Sequence, residues 1–291
     1  MPTLRDLRIR IKGVQSTQKI TSAMKMVAAS KLKRAQESIV NARPYARKVF
    51  EMLNHLVTES DRLNNPLILK REVLKVALVV VTSDRGLCGA FNTNILREAN
   101  NFIKNECEAN SIVPSIFCVG RKSYDFFKKR PYPIVNYVSG IFGKLKFENA
   151  LTISNFLVTN YLKGDFDEVV IIYNEFKSVI QQKVVRETFL PIPFEYKKEV
   201  ELKADNYIFE PDKIMIFERM LQKHLRAHIW RILLESNAAE FGARMTAMDN
   251  ATTNAKELIR VLKLNYNKAR QAAITKELLE VVSGANALRA N

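Results

Sequence analysis

Glycine and proline, the residues that interrupt regular structure, are unevenly distributed along this 291-residue chain. The stretch 14–43 contains neither, and the stretch 212–283 contains only Gly242. Most of the glycines and prolines lie in the middle of the chain, which indicates long helices at both ends and a globular domain between them. The predicted domains are an N-terminal coiled-coil helix over 1–60, a central α/β domain over 73–196 and a C-terminal coiled-coil helix over 211–291.

The N-terminal segment repeats its apolar residues with heptad spacing. One register carries apolar residues from Leu4 to Val14 and again from Ala28 to Leu56. Between these blocks the same register meets Gln18, Thr21 and Lys25, so the seam is polar for about two turns. A helix covering the whole segment would be roughly 80 Å long at 1.5 Å per residue. Such a helix needs a partner helix.

The C-terminal segment carries an apolar stripe that suits this partner role. Asp212 is placed to cap its start and Gly284 to end it, which gives a helix of roughly 100 Å. We predict that the two end segments form a long antiparallel two-helix coiled coil. A helical bundle folded on itself is the alternative. The apolar positions are Ile214, Phe217, Leu221, Leu225, Ile232, Met245, Met248, Ala255, Ile259, Leu262, Tyr266, Ala269 and Ala273.

The central segment alternates apolar strands with helices. This alternation predicts a Rossmann-like α/β domain with a mostly parallel sheet, with a linker over 188–195 returning to the last helix. The predicted strands cover 76–82, 116–120, 168–173 and, at a sheet edge, 179–188, and the predicted helices cover 91–104, 123–129 and 147–162.

Motifs that would support catalysis or cofactor binding are incomplete. The turn 83–89 lies where a nucleotide-binding fold places its phosphate loop, but its two glycines match neither G-x-G-x-x-G nor a P-loop. We predict a tight turn whose glycines need positive φ. His224 and His228 share one helix face without a third ligand, which indicates a polar patch on a solvated helix rather than a metal site. Cys88 is predicted to be a small buried packing residue, with a reactive thiol as the alternative.

Composition limits the class of partner. The chain has 46 Lys and Arg against 30 Asp and Glu, a net charge of +16. This excess suits nucleic acid, an anionic membrane surface or an acidic protein. A basic coiled-coil nucleic-acid binder is disfavoured, because no base-reading motif or aromatic platform is present. Three cysteines without a C-x-x-C pair and the lack of a long apolar stretch indicate a reducing compartment and no transmembrane segment.

Several stretches, in the same order along the whole chain, resemble the γ subunit of F-type ATP synthase. They are IKGVQSTQKITSAMKMVAASKL over 11–32, RPY over 43–45, SDRGLCGAFN over 83–92, EFGARMTAM over 240–248, YNKARQAAITKEL over 266–278 and VVSGA over 281–285.

This resemblance implies a non-catalytic central rotor of the F1 sector of a proton-translocating ATP synthase, without cofactor, metal ion or nucleic-acid partner. The helix pair is expected inside the ring of α and β subunits, with the α/β domain against the ε subunit and the membrane c-ring. Met24 and Lys25 are expected near an acidic segment of β. Arg244, Gln271 and Thr275 are expected at the contact with β that transmits coupling.

The resemblance also implies a cellular location. The extra segment and regulatory cysteines of the chloroplast branch have no counterpart here, so thiol switching is not expected. The first helix is predicted to begin almost at the first residue, which leaves no room for a transit peptide. We therefore expect a bacterial protein that is peripheral to the cytoplasmic face of the inner membrane, associated through the complex rather than by insertion.

Overall fold

The computed structural model describes residues 3–56, 65–194, 210 and 212–289. The chain divides into two compact units, one combining Met1–Val27 with Met245–Asn291 and the other comprising Ala28–Arg244. Two long helices, α1 (Leu4–Leu56) and α5 (Lys213–Arg289), contribute residues to both units. The domain boundaries predicted from the sequence stay predictions.

The heptad register predicted for α1 is confirmed by the burial of its side chains. Every residue of the register is buried or partly buried, including Gln18, Thr21 and Lys25. Thr3 begins the helix with a capping box, in which Asp6 N donates to Thr3 Oγ1 and Thr3 N donates to Asp6 Oδ2. The described helix ends at residue 56, and the rest of the predicted N-terminal helix, from 57 to 60, lies outside the described residues.

Within the first unit, α1 and α5 are antiparallel. Arg8 Nη2 donates to Tyr266 Oη at 2.8 Å, and Lys25 Nζ donates to Asp249 Oδ1 at 2.6 Å. A step of 17 residues along α1, from 8 to 25, thus matches a step of 17 in the opposite direction along α5, from 266 to 249. The predicted antiparallel pairing is therefore confirmed over this part of the described chain.

The predicted start of α5 is confirmed, but its predicted end is wrong. Asp212 caps the start, because its Oδ2 accepts a hydrogen bond from Met215 N at 3.3 Å. The predicted stop at Gly284 is wrong, since α5 continues to residue 289. A glycine inside a helix is only about 1 kcal/mol less favourable than alanine, so it ends a helix only when the chain turns there. Ile214 is 64% exposed, so its assignment to the apolar stripe is also wrong.

The second unit contains a five-stranded sheet in the order β3-β2-β1-β4-β5. The first four strands of this order are parallel, and β5 pairs antiparallel with β4 at the edge, as predicted. The strands are β1 (Lys75–Val81), β2 (Val113–Val119), β3 (Ile134–Val138), β4 (Glu168–Phe176) and β5 (Gln182–Leu190). The helices between them are α2 (Phe91–Phe102), continued by a π-helical turn Ile103–Glu108, α3 (Arg121–Phe127) and α4 (Phe147–Lys163).

Two elements of the sheet differ from the sequence prediction. Strand β3 was not predicted, because its five residues are short, include a polar Asn136 and follow two prolines. Strand β5 extends to residue 190, so part of the predicted linker 188–195 belongs to the sheet. Pairing of Leu190 with Val169 on β4 explains the extension, since the ladder continues past a register shift at that end.

The middle of α5 is buried on nearly all sides within the second unit. From 232 to 242, ten of the eleven residues are buried and Asn237 is partly buried. Phe217, Leu225 and Ile229 of α5 share one apolar core with Val79 and Ile171 of the sheet. This part of α5 is therefore a core helix of the α/β domain as well as a partner of α1. No helix in the described ranges has the length and apolar character needed to span a membrane.

Candidate functional site

The polar interruption of the seam, which we call the polar waist (Gln18, Thr21, Lys25, Asp249 and Thr252), joins the two helices within the first unit. Thr252 Oγ1 donates to Thr21 Oγ1 at 2.8 Å, and both hydroxyls are buried. The Lys25–Asp249 ion pair is partly exposed, with 36% and 52% of the side chains accessible. A polar pair at one point of an apolar seam favours one register of the two helices, because another register would place these hydroxyls against apolar side chains.

Lys25 is part of this polar waist, and Met24 lies beside it in the sequence. Met24 is partly buried, while Met26 and Val27 beside it are 65% and 58% exposed. The predicted acidic partner of Lys25 is a β subunit, but in the structure Asp249 of the same chain already neutralises part of its charge. The contact of either residue with β stays a prediction.

Gln271 and Thr275 are exposed and lie far from the polar waist along α5. The 22 residues from Asp249 to Gln271 correspond to about 33 Å of helix. Because Arg8 is opposite Tyr266, α1 begins about one turn further on, and α5 from residue 271 onward extends beyond it. Thr275 Oγ1 donates to the Gln271 carbonyl oxygen at 3.0 Å. Their contact with β stays a prediction for a part of α5 that α1 does not cover.

Arg244 lies in the second unit and binds the turn that follows β1. Its Nη1 donates to the Gly86 carbonyl at 2.6 Å and its Nη2 donates to the Arg85 carbonyl at 3.3 Å. Nη2 also pairs with Glu240 Oε1 at 2.6 Å, and only 12% and 9% of the two side chains are exposed. A phosphate loop presents N–H groups to an anion, whereas this turn presents carbonyl oxygens to a cation. The turn is therefore built to hold a guanidinium group.

The interior of this turn, 83–89, is held by its own side chains. Ser83 N donates to Asn92 Oδ1 at 3.0 Å, and Asn92 Nδ2 contacts Cys88 Sγ at 3.2 Å. The prediction of positive φ is confirmed for Gly89 at 59°, but the second such residue is Leu87 at 66° rather than Gly86. Leu87 is 66% exposed, so its side chain points away from the domain.

Cys88 is buried, which confirms the packing role predicted for it. Burial raises the pKa of its thiol, although Ser83 and Arg244 oppose the shift. A thiol that stays protonated at neutral pH is a poor nucleophile, so the reactive alternative is disfavoured. Cys107 and Cys118 are also buried, and burial raises the pKa of each thiol to about 11.

Loss of the Arg244 side chain should destabilise the fold in a pH-dependent way. Burial raises the pKa of Glu240, and Arg244 opposes that shift. In Arg244→Ala the carboxylate is buried without its cation, which we expect to lower the free energy of unfolding by about 3 kcal/mol at pH 8. The penalty should fade towards pH 4.5, because a protonated Glu240 carries no buried charge.

Urea unfolding of the full chain at pH 8 and pH 5 measures this effect. The double variant R244A/E240Q is the control, since it has no carboxylate to bury and should lose the pH dependence. Equal destabilisation of Arg244→Ala at both pH values would contradict the assignment.

The histidine pair on α5 is not a solvated patch, so that prediction is wrong. His224 is buried, and burial, followed by the charges of His228 and Arg231, lowers its pKa to about 3. His228 Nε2 lies 2.8 Å from Glu187 Oε1, which also accepts a hydrogen bond from Arg231 at 2.9 Å. Burial would raise the pKa of Glu187, but its interactions with His228 and Arg231 outweigh burial and the pKa is lowered. His228 packs against Phe189 of β5, and His224 packs against Phe50 of α1.

Metal binding has no support in the described ranges, where no three His, Cys, Asp or Glu side chains come together as a ligand set. The buried carboxylate of Glu235, which pairs with Arg43 of α1, was not predicted from the sequence. A signal was present in the sequence, because Glu235 and Glu240 are the only charged residues between Ile232 and Gly242. A carboxylate in such a run indicates a specific cationic partner.

The fold and these contacts define a class of protein in which polar side chains join two antiparallel helices to each other and to an α/β domain. Residues 3–288 match a family model described as ATP synthase. The chain belongs to the ATP synthase γ-chain family. This confirms the resemblance found in the sequence.

Two relatives support the assignment over nearly the whole length. An ATP synthase gamma chain of Chlorobaculum parvum is 51% identical over 292 residues, covering 99% of this chain and 100% of the relative. One of Chlorobium phaeobacteroides is 51% identical over 294 residues, with the same coverage. Solved structures agree.

The central stalk of the Tetrahymena thermophila mitochondrial ATP synthase aligns with 80% of this chain and 99% of its own, at 29% identity and a TM-score of 0.63. A chain of the Euglena gracilis mitochondrial ATP synthase covers 99% of this chain and 95% of its own with a TM-score of 0.69. At 20% identity, this second structure supports the fold alone.

Proposed function

We propose that the chain is the non-catalytic central rotor of the F1 sector, which transmits torque between a membrane c-ring and the catalytic β subunits of an ATP synthase. The observation that carries the proposal is the antiparallel register of α1 and α5 in a chain 51% identical to named γ chains over 99% of its length. Its partners would be the α and β subunits, the ε subunit and the c-ring.

The helix pair suits a rotating shaft for a physical reason. Its two helices differ in sequence, so at any rotation angle the pair presents a different surface to each surrounding β subunit. Each β conformation then has a different contact energy with the shaft, and rotation exchanges those energies and the nucleotide affinities linked to them. Exposed side chains near the polar waist are small or flexible, such as Ala23 and Met26, which suits a contact that must slide rather than lock.

The C-terminal part of α5 supports a partner that encloses it. Leu278, Leu279, Val281 and Val282 are each 55% to 69% exposed. A helix with this much exposed apolar surface is typical of a segment that another protein covers. In the proposed assembly, the inner wall of the ring of α and β subunits covers these residues.

The proposed location is the cytoplasmic face of a bacterial inner membrane, with the chain peripheral and held there through the complex. Both relatives named above come from bacteria, which supports this placement. Fractionation tests it: the chain should sediment with inverted inner-membrane vesicles and be released together with α and β when the F1 sector is detached.

Co-purification tests the proposal against a basic nucleic-acid binder. After nuclease treatment, the tagged full-length chain should elute with α and β subunits at a stoichiometry of three, three and one. Binding to duplex DNA that weakens steeply with salt, without α or β, would support the rival instead. Nucleotide hydrolysis by the isolated chain would contradict a non-catalytic role.

Replacement of Met24 by lysine should weaken energy coupling. The added cation would lie beside Lys25 and close to the acidic β segment predicted to face it, so that contact would bind too strongly for free rotation. We expect ATP hydrolysis to continue while the number of protons pumped per ATP in inverted vesicles falls by about threefold. Met24→Leu keeps the size and apolar character and should couple as the wild type does. Unchanged pumping by Met24→Lys would contradict the predicted contact.

A further inference from the structure

Arg43, Glu235 and the backbone of Phe176 form a partly buried joint between three elements of the second unit, and we call it the Arg43–Glu235 clamp. Arg43 Nε donates to Glu235 Oε1 at 2.7 Å, and Arg43 Nη2 donates to Glu235 Oε2 at 3.0 Å. This is the two-bond, planar arrangement in which a guanidinium group fixes a carboxylate most firmly.

The same two side chains hold the last residue of β4 by its backbone. Arg43 Nη2 donates to the Phe176 carbonyl at 3.1 Å, and Glu235 Oε2 accepts from Phe176 N at 3.1 Å. Helix α1 therefore binds one backbone group of this residue and α5 binds the other, while the two helices also bind each other. About two turns further along α5, Gly242 lies close to the end of β4 and the β4–β5 connection, since an added Cβ there would be 3.4 Å from Phe176 Cε2 and from the Val179 carbonyl.

The chemistry of the clamp indicates a role beyond stability. The Glu235 side chain is 2% exposed, whereas its partner Arg43 is 47% exposed. Removing a carboxylate from water is unfavourable by several kcal/mol, and an apolar pair of similar volume is usually as stable or more stable. Burial of this charge therefore brings little net stability. Hydrogen bonds are directional, whereas apolar packing is not. The four hydrogen bonds of the clamp therefore set the angle of β4 relative to both helices.

We propose that Arg43 and Glu235 are positioning residues for torque transfer, which lock the sheet of the α/β domain to the helix pair against twisting. This proposal rests on the proposed rotor function. Most of the core between α5 and the sheet is apolar, but Arg231 and Arg244 of α5 also bind Glu187 of β5 and the turn after β1. The clamp adds directional bonds from α1, because Arg43 binds both Glu235 of α5 and the Phe176 carbonyl of β4. Torque applied to the sheet would therefore reach both helices at once.

The double variant R43M/E235L separates this role from a merely structural one. It replaces the clamp by an apolar pair, which should leave the assembled complex as heat-stable as the wild type. ATP hydrolysis by detached F1 should also be unchanged, because no load acts on the α/β domain there. In membrane vesicles, however, the number of ions pumped per ATP should fall by about threefold.

Two further variants complete the test. Arg43→Lys keeps the charge but loses the planar fork, so it should assemble and show a smaller loss of pumping; it also decides the question if the double variant does not assemble. The exposed ion pair between Asp125 and Lys128 on α3, 3.2 Å apart, provides the matched control D125L/K128M, which should pump as the wild type does.

The outcomes separate the two proposals. Reduced pumping by the clamp variants, with normal hydrolysis by detached F1, supports the clamp. Wild-type pumping in both R43M/E235L and Arg43→Lys would overturn the clamp and leave the rotor function intact. If the complex pumped ions equally well with and without this chain, the rotor function itself would be overturned.

Discussion

Gly120→Ala is expected to lower the free energy of unfolding by about 4 kcal/mol, combining backbone strain with a steric clash. Gly120 joins β2 to α3 with φ 93° and ψ 151°, a conformation almost restricted to glycine. A Cβ added there would lie 2.1 Å from the carbonyl oxygen of Thr82, which directly follows β1 and is held to β2 because Thr82 N donates to the Val119 carbonyl at 2.8 Å. The close approach also brings Gly120 N to the Val138 carbonyl at 2.7 Å, so relaxation would break the pairing with β3.

Urea unfolding of the full chain measures the effect of Gly120→Ala, together with the yield of assembled F1. Gly143→Ala is the matched control in the same domain, because no atom lies within 4 Å of the added Cβ and its φ is not in the left-handed region. We expect this control to stay within about 0.5 kcal/mol of the wild type. If both variants were equally stable, the close approach of β1 and the β2–α3 connection would not be a constraint on the fold.

Acid is expected to destabilise the protein through His224 well before most carboxylates titrate. The pKa of this imidazole is about 3 in the fold, below its ordinary value of 6.5, because burial and the neighbouring His228 and Arg231 oppose its charged form. A depressed folded pKa means that protons bind preferentially to the unfolded chain, so stability is fully present above pH 6.5 and is lost as the pH falls. The expected loss is about 2 kcal/mol between pH 7 and 5, and about 4 kcal/mol by pH 3.

The measurement is the difference in unfolding free energy between the wild type and His224→Phe over pH 7 to 5. Phenylalanine keeps an aromatic ring beside Phe50, whose ring centroid lies 5.0 Å from that of His224, and it removes the titrating group. Over this interval the variant should lose about 2 kcal/mol less than the wild type. Parallel pH profiles for the two proteins would show that His224 is not the group responsible. Below pH 4.5, Glu187, whose pKa is lowered, should add a further loss that both proteins share.

The buried charges of α5 show why a γ chain can carry ionic groups in its core without catalysing a reaction. Glu235 and Glu240 each bind an arginine that also donates to backbone carbonyls, of Phe176 in one case and of the turn after β1 in the other. Both sets of bonds end at the carboxyl ends of strands, the edge at which a nucleotide-binding fold of this strand order places its ligand. In this chain that edge binds side chains of its own helices.

Four of the predicted coupling residues lie in two different places, two at the polar waist and two on the part of α5 that extends beyond the start of α1. Met24 and Lys25 lie where two helices are paired through hydroxyl groups and an ion pair, whereas Gln271 and Thr275 lie on α5 beyond the start of α1. A paired segment resists bending more than a single helix. We therefore expect substitutions at Met24 to act through the contact with β, and substitutions at Gln271 to act also through the stiffness of a single helix.

Much of the architecture follows from the sequence alone, because the relevant signals are local. The heptad register of α1 predicted which side chains are buried, from Leu7 to Leu56, and the polar residues at its centre predicted the waist. Apolar runs with glycine-containing turns predicted four of the five strands. Periodicity and turn chemistry depend on neighbours within a few residues, so a single sequence contains this information.

Only the tertiary structure decided which partner each buried polar group binds. It placed Arg244 against the turn after β1, Arg43 against Glu235, and His224 against Phe50 of α1, although the sequence indicated solvent or a β subunit for two of these groups. It also showed that α5 passes Gly284 and extends beyond the start of α1. The physical reason is that a charge pairs with whatever group packing brings within about 3 Å, and that neighbour is set by contacts between residues more than a hundred positions apart in the chain.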